Sequence, residues 1–206
     1  MKSASTQACR IIAKHILDVL GSLILLALLS PIMLVAAILI RCNTRGPVLF
    51  HQQRLGINGR SFGLWKFRTM LEGSGAASHD RLAENDPRIT SSGRGLRSWG
   101  IDELPQLWNV LKGQMSLVGP RPAPLYHLNQ YTLLQRKRLL VRPGLTGWAF
   151  IHGRNNIPWK ERIELDVWYV ENWSLLLDMK VLFKSLFVIL KREGVYGPSG
   201  TNDTFV

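Results

Sequence analysis

An uninterrupted apolar run from Val19 to Ile40, VLGSLILLALLSPIMLVAAILI, dominates the first fifth of the chain and carries no charge. A helix needs about 20 such residues to cross a bilayer, so the run predicts a membrane-inserted helix. It is longer than the apolar part of a secretory signal, and no small-residue cleavage site follows it. Ser30-Pro31 falls in its middle, where proline removes a backbone hydrogen bond and bends a helix. Basic residues lie on both flanks: Lys2, Arg10, Lys14 and His15 before, Arg41, Arg45, Arg54 and Arg60 after. The positive-inside tendency places both flanks on the cytoplasmic side. A re-entrant helix hairpin that dips in, breaks at Ser30-Pro31 and returns satisfies both features. A tilted span is the alternative, because spanning helices tolerate proline. Asp18 stands one turn beyond Lys14 and is placed to pair with it.

Beyond the run the pattern shortens its period. GPVLF at 46–50 reads as a turn into a strand, RLGINGR at 54–60 as a turn, and FGLWKFRTM at 62–70 as an alternating strand. Together they predict a small β-hairpin carrying Lys66 and Arg68. The polar stretch Leu71 to Gly95 is expected as a long mobile surface loop. Leu104, Leu107, Trp108 and Leu111 then recur at helical spacing, with Asp102 as an N-cap, Pro105 in the first turn and Lys112-Gly113 at the end. Leu128 to Leu140 is expected as a basic helix, and the stretches at 142–148 and 152–156 as tight loops. Ile157 to Asn172 mixes Trp159, Trp168 and Trp173 with charges, as at a membrane–water interface. Leu175 to Leu190 is an apolar helix suited to the core or to the interface plane. The fold class is mixed α/β and mainly helical. It divides into a membrane-inserted segment with basic flanks (1–45), one catalytic core holding the β-hairpin and interfacial amphipathic helices (46–195), and a tail (196–206).

Charge sharpens this picture. Lys and Arg number 26 against 14 Asp and Glu, a formal net charge of +12, which implies polyanionic surroundings. Cys9, Cys42 and the scattered histidines match no metal spacing, so zinc chemistry and a disulfide framework are not expected. Against this basic background Asp102 and Glu103 are adjacent carboxylates at a helix start, where the dipole favours anions. Arg97, Arg121 and Arg154 each sit at a helix entrance or in a rigid segment, Arg121 within Gly119-Pro120-Arg121-Pro122. Guanidinium forks bind phosphate oxygens bidentately, so three of them around an acid pair suit a pyrophosphate. An ordinary capped helix accounts for the acid pair alone. A basic, membrane-anchored module binding anionic lipid or nucleic acid accounts for the charge and the apolar run, although no nucleic-acid motif is present.

The blocks LRSWGIDELPQLWNVLKGQMSLVGPRP (ending at Pro122), RPGLTGW (142–148), GRN (153–155), GPVLF, QRLG and KFRTM, with Ser-Pro inside the apolar run, resemble the bacterial sugar transferases, specifically the small monotopic phosphoglycosyl transferases. The likeness covers about residues 10 to 195. It implies transfer of a sugar 1-phosphate from a UDP-sugar to membrane polyprenol phosphate, releasing UMP, as the first membrane step of surface glycan or glycoconjugate synthesis. It implies Mg²⁺, with Asp102 as covalent nucleophile and Glu103 as partner in metal or proton handling, both of them candidate metal ligands. Arg97, Arg121 and Arg154, with Lys66 and Arg68, are then the phosphate- and substrate-binding set. The implied location is the cytoplasmic face of the bacterial inner membrane among its lipids, without a nucleic-acid partner. Two features depart from the family pattern: no acid follows Gly-Pro-Arg-Pro within Ala123 to Tyr126, and Lys14-His15 stands where Lys-Arg is usual. A direct glycosyl transferase that releases UDP is a further enzymatic alternative.

Overall fold

The computed structural model describes residues 4–73, 85–192 and 194–196, with side chains from residue 7. The expected tail lies outside them from residue 197, as does the centre of the expected loop (74–84). The apolar run lies within one helix, α1 (Ala4–Asn43), which continues through Ser30 and Pro31 where the sequence suggests a break. Asp18, Ser22, Leu25, Met33, Ala36 and Ile40 fall on one stripe at helical spacing and face the rest of the molecule on both sides of Pro31. The opposite face, including Ile12, Leu20, Leu28 and Leu34, is exposed. By length and composition the helix can cross a membrane.

The β-hairpin forms as the alternation predicts. Strand β1 (Leu49–Leu55) pairs antiparallel with β2 (Ser61–Phe67), Leu49 opposite Phe67 and Leu55 opposite Ser61. Asn58 (φ 54°) and Gly59 (φ 75°) form the turn, both residue types that accept left-handed backbone. Helix α2 (Ser91–Ser98) begins inside the expected loop, because the Thr90 hydroxyl caps it by accepting from Gly93 N at 2.9 Å. The acid-pair segment is a 3-10 turn, Ile101–Gln106, running into α3 (Leu107–Leu111). The sequence made Asp102 its N-cap, but Gly100, at φ 68°, occupies that place and turns the chain so that both carboxylates follow inside the first turn. Asn109 of α3 then docks onto the free edge of β2: its side chain accepts from Trp65 N (3.1 Å) and donates to Gly63 O (2.7 Å). That amide serves as a third strand for the hairpin and sets Lys66 beside the acid pair.

Strand β3 (Ser116–Val118) pairs parallel with β4 (Gly144–Thr146), so the expected 142–148 loop contains a strand. Close backbone approach selects glycine there, since a Cβ on Gly144 or Gly147 would run into the Gly119 backbone. The expected helix from Leu128 to Leu140 is instead two 3-10 turns, Leu125–Asn129 and Gln135–Leu139. Thr132 and Gln135 bond reciprocally to each other's backbone N–H, which competes with a continuous helix, and Arg138 is drawn inward. Short helix α4 (Trp148–Ile151) leads to α5 (Trp159–Glu171) and α6 (Leu175–Lys191), the latter capped by Ser174 Oγ accepting from Leu177 N. Leu107, Val110, Met115 and Val181 are fully buried at the centre, each such side chain worth about 1.5–3 kcal/mol.

The tryptophans divide. Trp159 lies in the core rather than at an interface, whereas Trp168 is half exposed and stacks on Trp148. Helix α6 is two-sided: Val181 and Ser185 face inward, and Leu176, Met179, Phe183, Phe187 and Leu190 are exposed. These residues, like the outer face of α1, are exposed apolar surface of the kind that marks contact with a membrane or a partner. Lys14 does not pair with Asp18. It reaches Asp178 of α6 at 2.6 Å and Val118 O at 3.1 Å, while buried Asp18 accepts from Leu117 N at 3.0 Å. These contacts fasten α1 to the β3–α6 layer.

Candidate active site

Beside the hairpin a cavity of about 500 Å³ receives side chains from both hairpin strands, α2, the acid-pair turn and several connecting segments. Asp102 and Glu103 enter from the 3-10 turn, Lys66 from β2, Arg97 from α2, Arg121 from the Pro-flanked segment after β3 and Arg154 from the Gly-Arg-Asn turn. The structure therefore gathers the acid pair and the three arginines named from sequence into one site.

The two carboxylates are in different states. Glu103 is gripped by cations: Oε1 accepts from Arg121 Nη2 (2.9 Å) and Lys66 Nζ (3.1 Å), and Oε2 from Arg121 Nη1 (3.4 Å). Burial alone would raise its pKa, but the charges of Arg121 and Lys66 and the Arg121 hydrogen bonds outweigh that and hold it well below the ordinary 4.5. Asp102, 7% exposed, receives no side-chain hydrogen bond among the described residues. Burial, followed by the neighbouring Glu103 charge, raises its pKa above the ordinary 3.8, against the pull of Lys66, Arg97 and Arg154. The Lys66 ammonium is itself lowered from 10.5, burial outweighing Glu103. One carboxylate is thus a fixed anchor for cations, and the other is an unengaged oxygen pair whose ionisation is responsive.

Each arginine is held from behind. The Arg138 side chain donates to Arg121 O (2.9 Å) and is itself fixed by Asp166. Arg162 donates to Arg154 O at 2.6 Å, four residues before Asp166 on α5, so one helix face supports both cavity arginines. Arg154 adopts φ 54°, an unusual conformation for its residue type, and its buried Nη1 has no hydrogen-bond partner among the described residues. A buried donor without a partner is costly, so this guanidinium is primed for an acceptor. Arg97 Nε donates to Thr69 Oγ1 at 2.9 Å. Arg68 also borders the cavity, but its guanidinium is engaged with Arg45 O (2.7 Å), Thr44 O (3.1 Å) and Thr44 Oγ1 (2.7 Å), tying down the end of α1.

Several lining residues escaped the sequence reading. Phe50, Gln52 and Arg54 occupy alternate positions of β1, on the hairpin face that carries Lys66, and Arg54 donates to Gln52 Oε1 at 2.8 Å. That alternation was the available signal. Asn155, Val195 and Tyr196 also border the cavity, and only tertiary contact brings them there.

As to a metal, no cluster of three or more His, Cys, Asp or Glu exists among the described residues. Mg²⁺ usually takes one or two carboxylates and completes its octahedron with water and substrate phosphates. The unengaged Asp102 fits that demand. Glu103 fits it only by sharing oxygens already bonded to Arg121 and Lys66.

The bacterial sugar transferase family model matches residues 9–192. The chain is 46% identical over 184 residues to the uncharacterized sugar transferase EpsL of Bacillus subtilis, covering 89% of this chain and 90% of that protein. It is 38% identical to the exopolysaccharide production protein ExoY of Rhizobium meliloti, over 89% of this chain and 88% of that one. The undecaprenyl-phosphate galactose phosphotransferase of Salmonella typhimurium is 38% identical over 89% of this chain, which spans only 41% of that longer protein. The matched span contains the acid pair, the cavity arginines and the apolar helix, and on that basis the chain belongs to the bacterial sugar transferase family.

Proposed function

We propose that the protein transfers a sugar 1-phosphate from a UDP-sugar to polyprenol phosphate through a covalent aspartyl intermediate, releasing UMP. The observation that carries this reading is the asymmetry of the acid pair. Glu103 is bonded to Arg121 and Lys66, and the Asp102 side chain faces the same arginine-lined cavity without a hydrogen bond among the described residues. Two relatives, from Salmonella typhimurium and Klebsiella pneumoniae, bear names that specify undecaprenyl-phosphate galactose phosphotransferase and UDP-glucose:undecaprenyl-phosphate glucose-1-phosphate transferase.

In the first half-reaction a carboxylate oxygen of Asp102 attacks the sugar-proximal phosphorus. The bond from that phosphorus to the bridging oxygen breaks, and UMP leaves with the electron pair. Arg97, Arg121 and Arg154 hold the phosphate oxygens. In the second half a phosphate oxygen of the polyprenol phosphate attacks the same phosphorus and Asp102 departs as carboxylate. Glu103 keeps Arg121 and Lys66 in place throughout. Asp102, with a share of Glu103, would hold a Mg²⁺ ion, which would neutralise charge on the diphosphate and the departing UMP.

The same reading has α1 bend at Pro31 within its single helix so that it enters and leaves the membrane on one side, with the catalytic domain on the cytoplasmic face of the bacterial inner membrane. It is supported by the basic flanks and by domain contacts made both at Lys14–Asp18, before Pro31, and at Ala36–Ile40, after it. Cysteines placed near residues 5 and 50 should label from the same side, and opposite-side labelling would exclude the hairpin.

The decisive assay incubates the membrane-embedded protein with UDP-sugars, polyprenol phosphate and Mg²⁺, and identifies the nucleotide product. UMP is expected; UDP would mean direct glycosyl transfer instead. Asp102→Asn should abolish both turnover and the acceptor-independent attachment of labelled sugar phosphate to the protein. Full activity in that variant refutes the nucleophile.

A further inference from the structure

The family model ends at Arg192, yet the next described residues return to the cavity. Three attachments hold this short strap. Helix α6 ends with Arg192 in the left-handed region (φ 55°), its guanidinium 3.8 Å from the Trp99 ring centroid, just before Gly100 and the acid-pair turn. The Gly194 and Val195 carbonyls accept from Asn155, through its backbone N (3.2 Å) and its Nδ2 (2.8 Å) respectively. Tyr196 packs against buried Met70 and Ile89, which an isolated antiparallel β-bridge joins.

Gly194 is needed for this path. It has φ 61°, and a Cβ there would stand 2.7 Å from Gly153 O and 2.9 Å from the Arg154 Cβ. The strap therefore lies against the turn that presents the phosphate-facing Arg154. Val195 and Tyr196 line the same cavity as Asp102 and the arginines. Lys66, Arg97, Arg121 and Arg154 gather around the acid pair, and the strap, with Pro47, Met70 and Leu71, adds apolar and aromatic surface to a side of the cavity that also carries Arg68 and Glu72. A nucleotide sugar has a matching composition, a dianionic diphosphate between two uncharged rings.

We propose that the strap Gly194–Tyr196 is a wall of the donor site, with Tyr196 contacting an uncharged ring of the nucleotide sugar and helping to set which donor is accepted. The inference rests on the sugar 1-phosphate transferase reading and adds a specificity element outside the segment matched by the family model. Arginines grip any diphosphate alike, so discrimination between donors must come from surfaces touching their rings.

The test uses the full chain in membranes, with UDP-glucose, UDP-galactose and UDP-N-acetylgalactosamine as donors and UMP as competitor. Tyr196→Ala should raise the KM of the preferred donor about tenfold, the order expected for loss of one aromatic–ring contact, with a smaller change in kcat. Gly194→Ala, which displaces the strap without removing a ring, should move KM in the same direction. If the contacted ring is the base, the inhibition constant of UMP rises in step. If it is the sugar, UMP inhibition is unchanged and the ranking of the three donors alters. Folding is checked by thermal unfolding of each variant. Folded variants whose KM, UMP inhibition and donor ranking all stay within about twofold of the parent overturn the inference. A parent protein that releases no UMP from any donor overturns the transferase reading, and the inference falls with it.

Discussion

Replacing Asp166 by Asn tests whether the support behind the cavity is as important as the cavity itself. Asp166 and Arg138 are 1% and 2% exposed, and Asp166 Oδ2 accepts from Arg138 Nη2 (2.6 Å) and Nε (3.1 Å). The guanidinium also bonds the Tyr131 hydroxyl and Arg121 O. Asn keeps the volume but removes the counter-charge, leaving a buried cation with neutral acceptors only. Breaking such a pair from one side costs about 3–5 kcal/mol. For a chain of this size that corresponds to a loss of roughly 10 °C in Tm. The double variant Arg138→Met with Asp166→Leu removes both charges, and should recover most of the stability, since buried pairs replaced by apolar groups are often neutral. It should not recover activity, because Arg121 O has lost its tether, and a misplacement of about 1 Å at a reacting centre costs on the order of 100-fold. Thermal unfolding and UMP release, measured on both variants, separate the two effects. A Tm loss below about 2 °C for Asp166→Asn refutes the stability argument, and full activity in the double variant refutes the positioning argument.

Two further outcomes follow from the same geometry. Activity should rise with pH as Asp102 loses its proton, with the acid limb above the ordinary aspartate value of 3.8, because burial and Glu103 raise its pKa; Glu103→Gln removes the like charge and should shift that limb to lower pH while slowing turnover, and an unmoved limb refutes the coupling. Asp178→Asn removes the charged acceptor of Lys14 (2.6 Å), the Tyr169 hydroxyl (2.6 Å) and Trp173 Nε1 (3.0 Å), and should cost about 1–3 kcal/mol, read as faster proteolytic release of α1 from the domain; wild-type protease resistance would show that the clasp is unimportant.

Local pattern alone determined the elements whose signal repeats along the chain. The charge-free run, the alternation of Phe62 to Met70 around an Asn-Gly turn, and the apolar periodicity of α6 each specify one conformation through side-chain burial at a fixed spacing. The motif blocks likewise identified the acid pair and Arg97, Arg121 and Arg154 as members of one site. Tertiary structure decided what no local pattern encodes. Arg138 and the Thr132–Gln135 bonds break up a segment with helical composition, because a buried partner on α5 outweighs propensity. Asp102 lost the N-cap position to Gly100, whose left-handed backbone is set by how α2 meets the acid-pair turn. Lys14 chose Asp178, 164 residues away, over its neighbour Asp18, since a packed interface selects partners by distance in space. The difference between Asp102 and Glu103 is also tertiary. Adjacent and chemically alike in sequence, they diverge only because Lys66 and Arg121 arrive beside one of them.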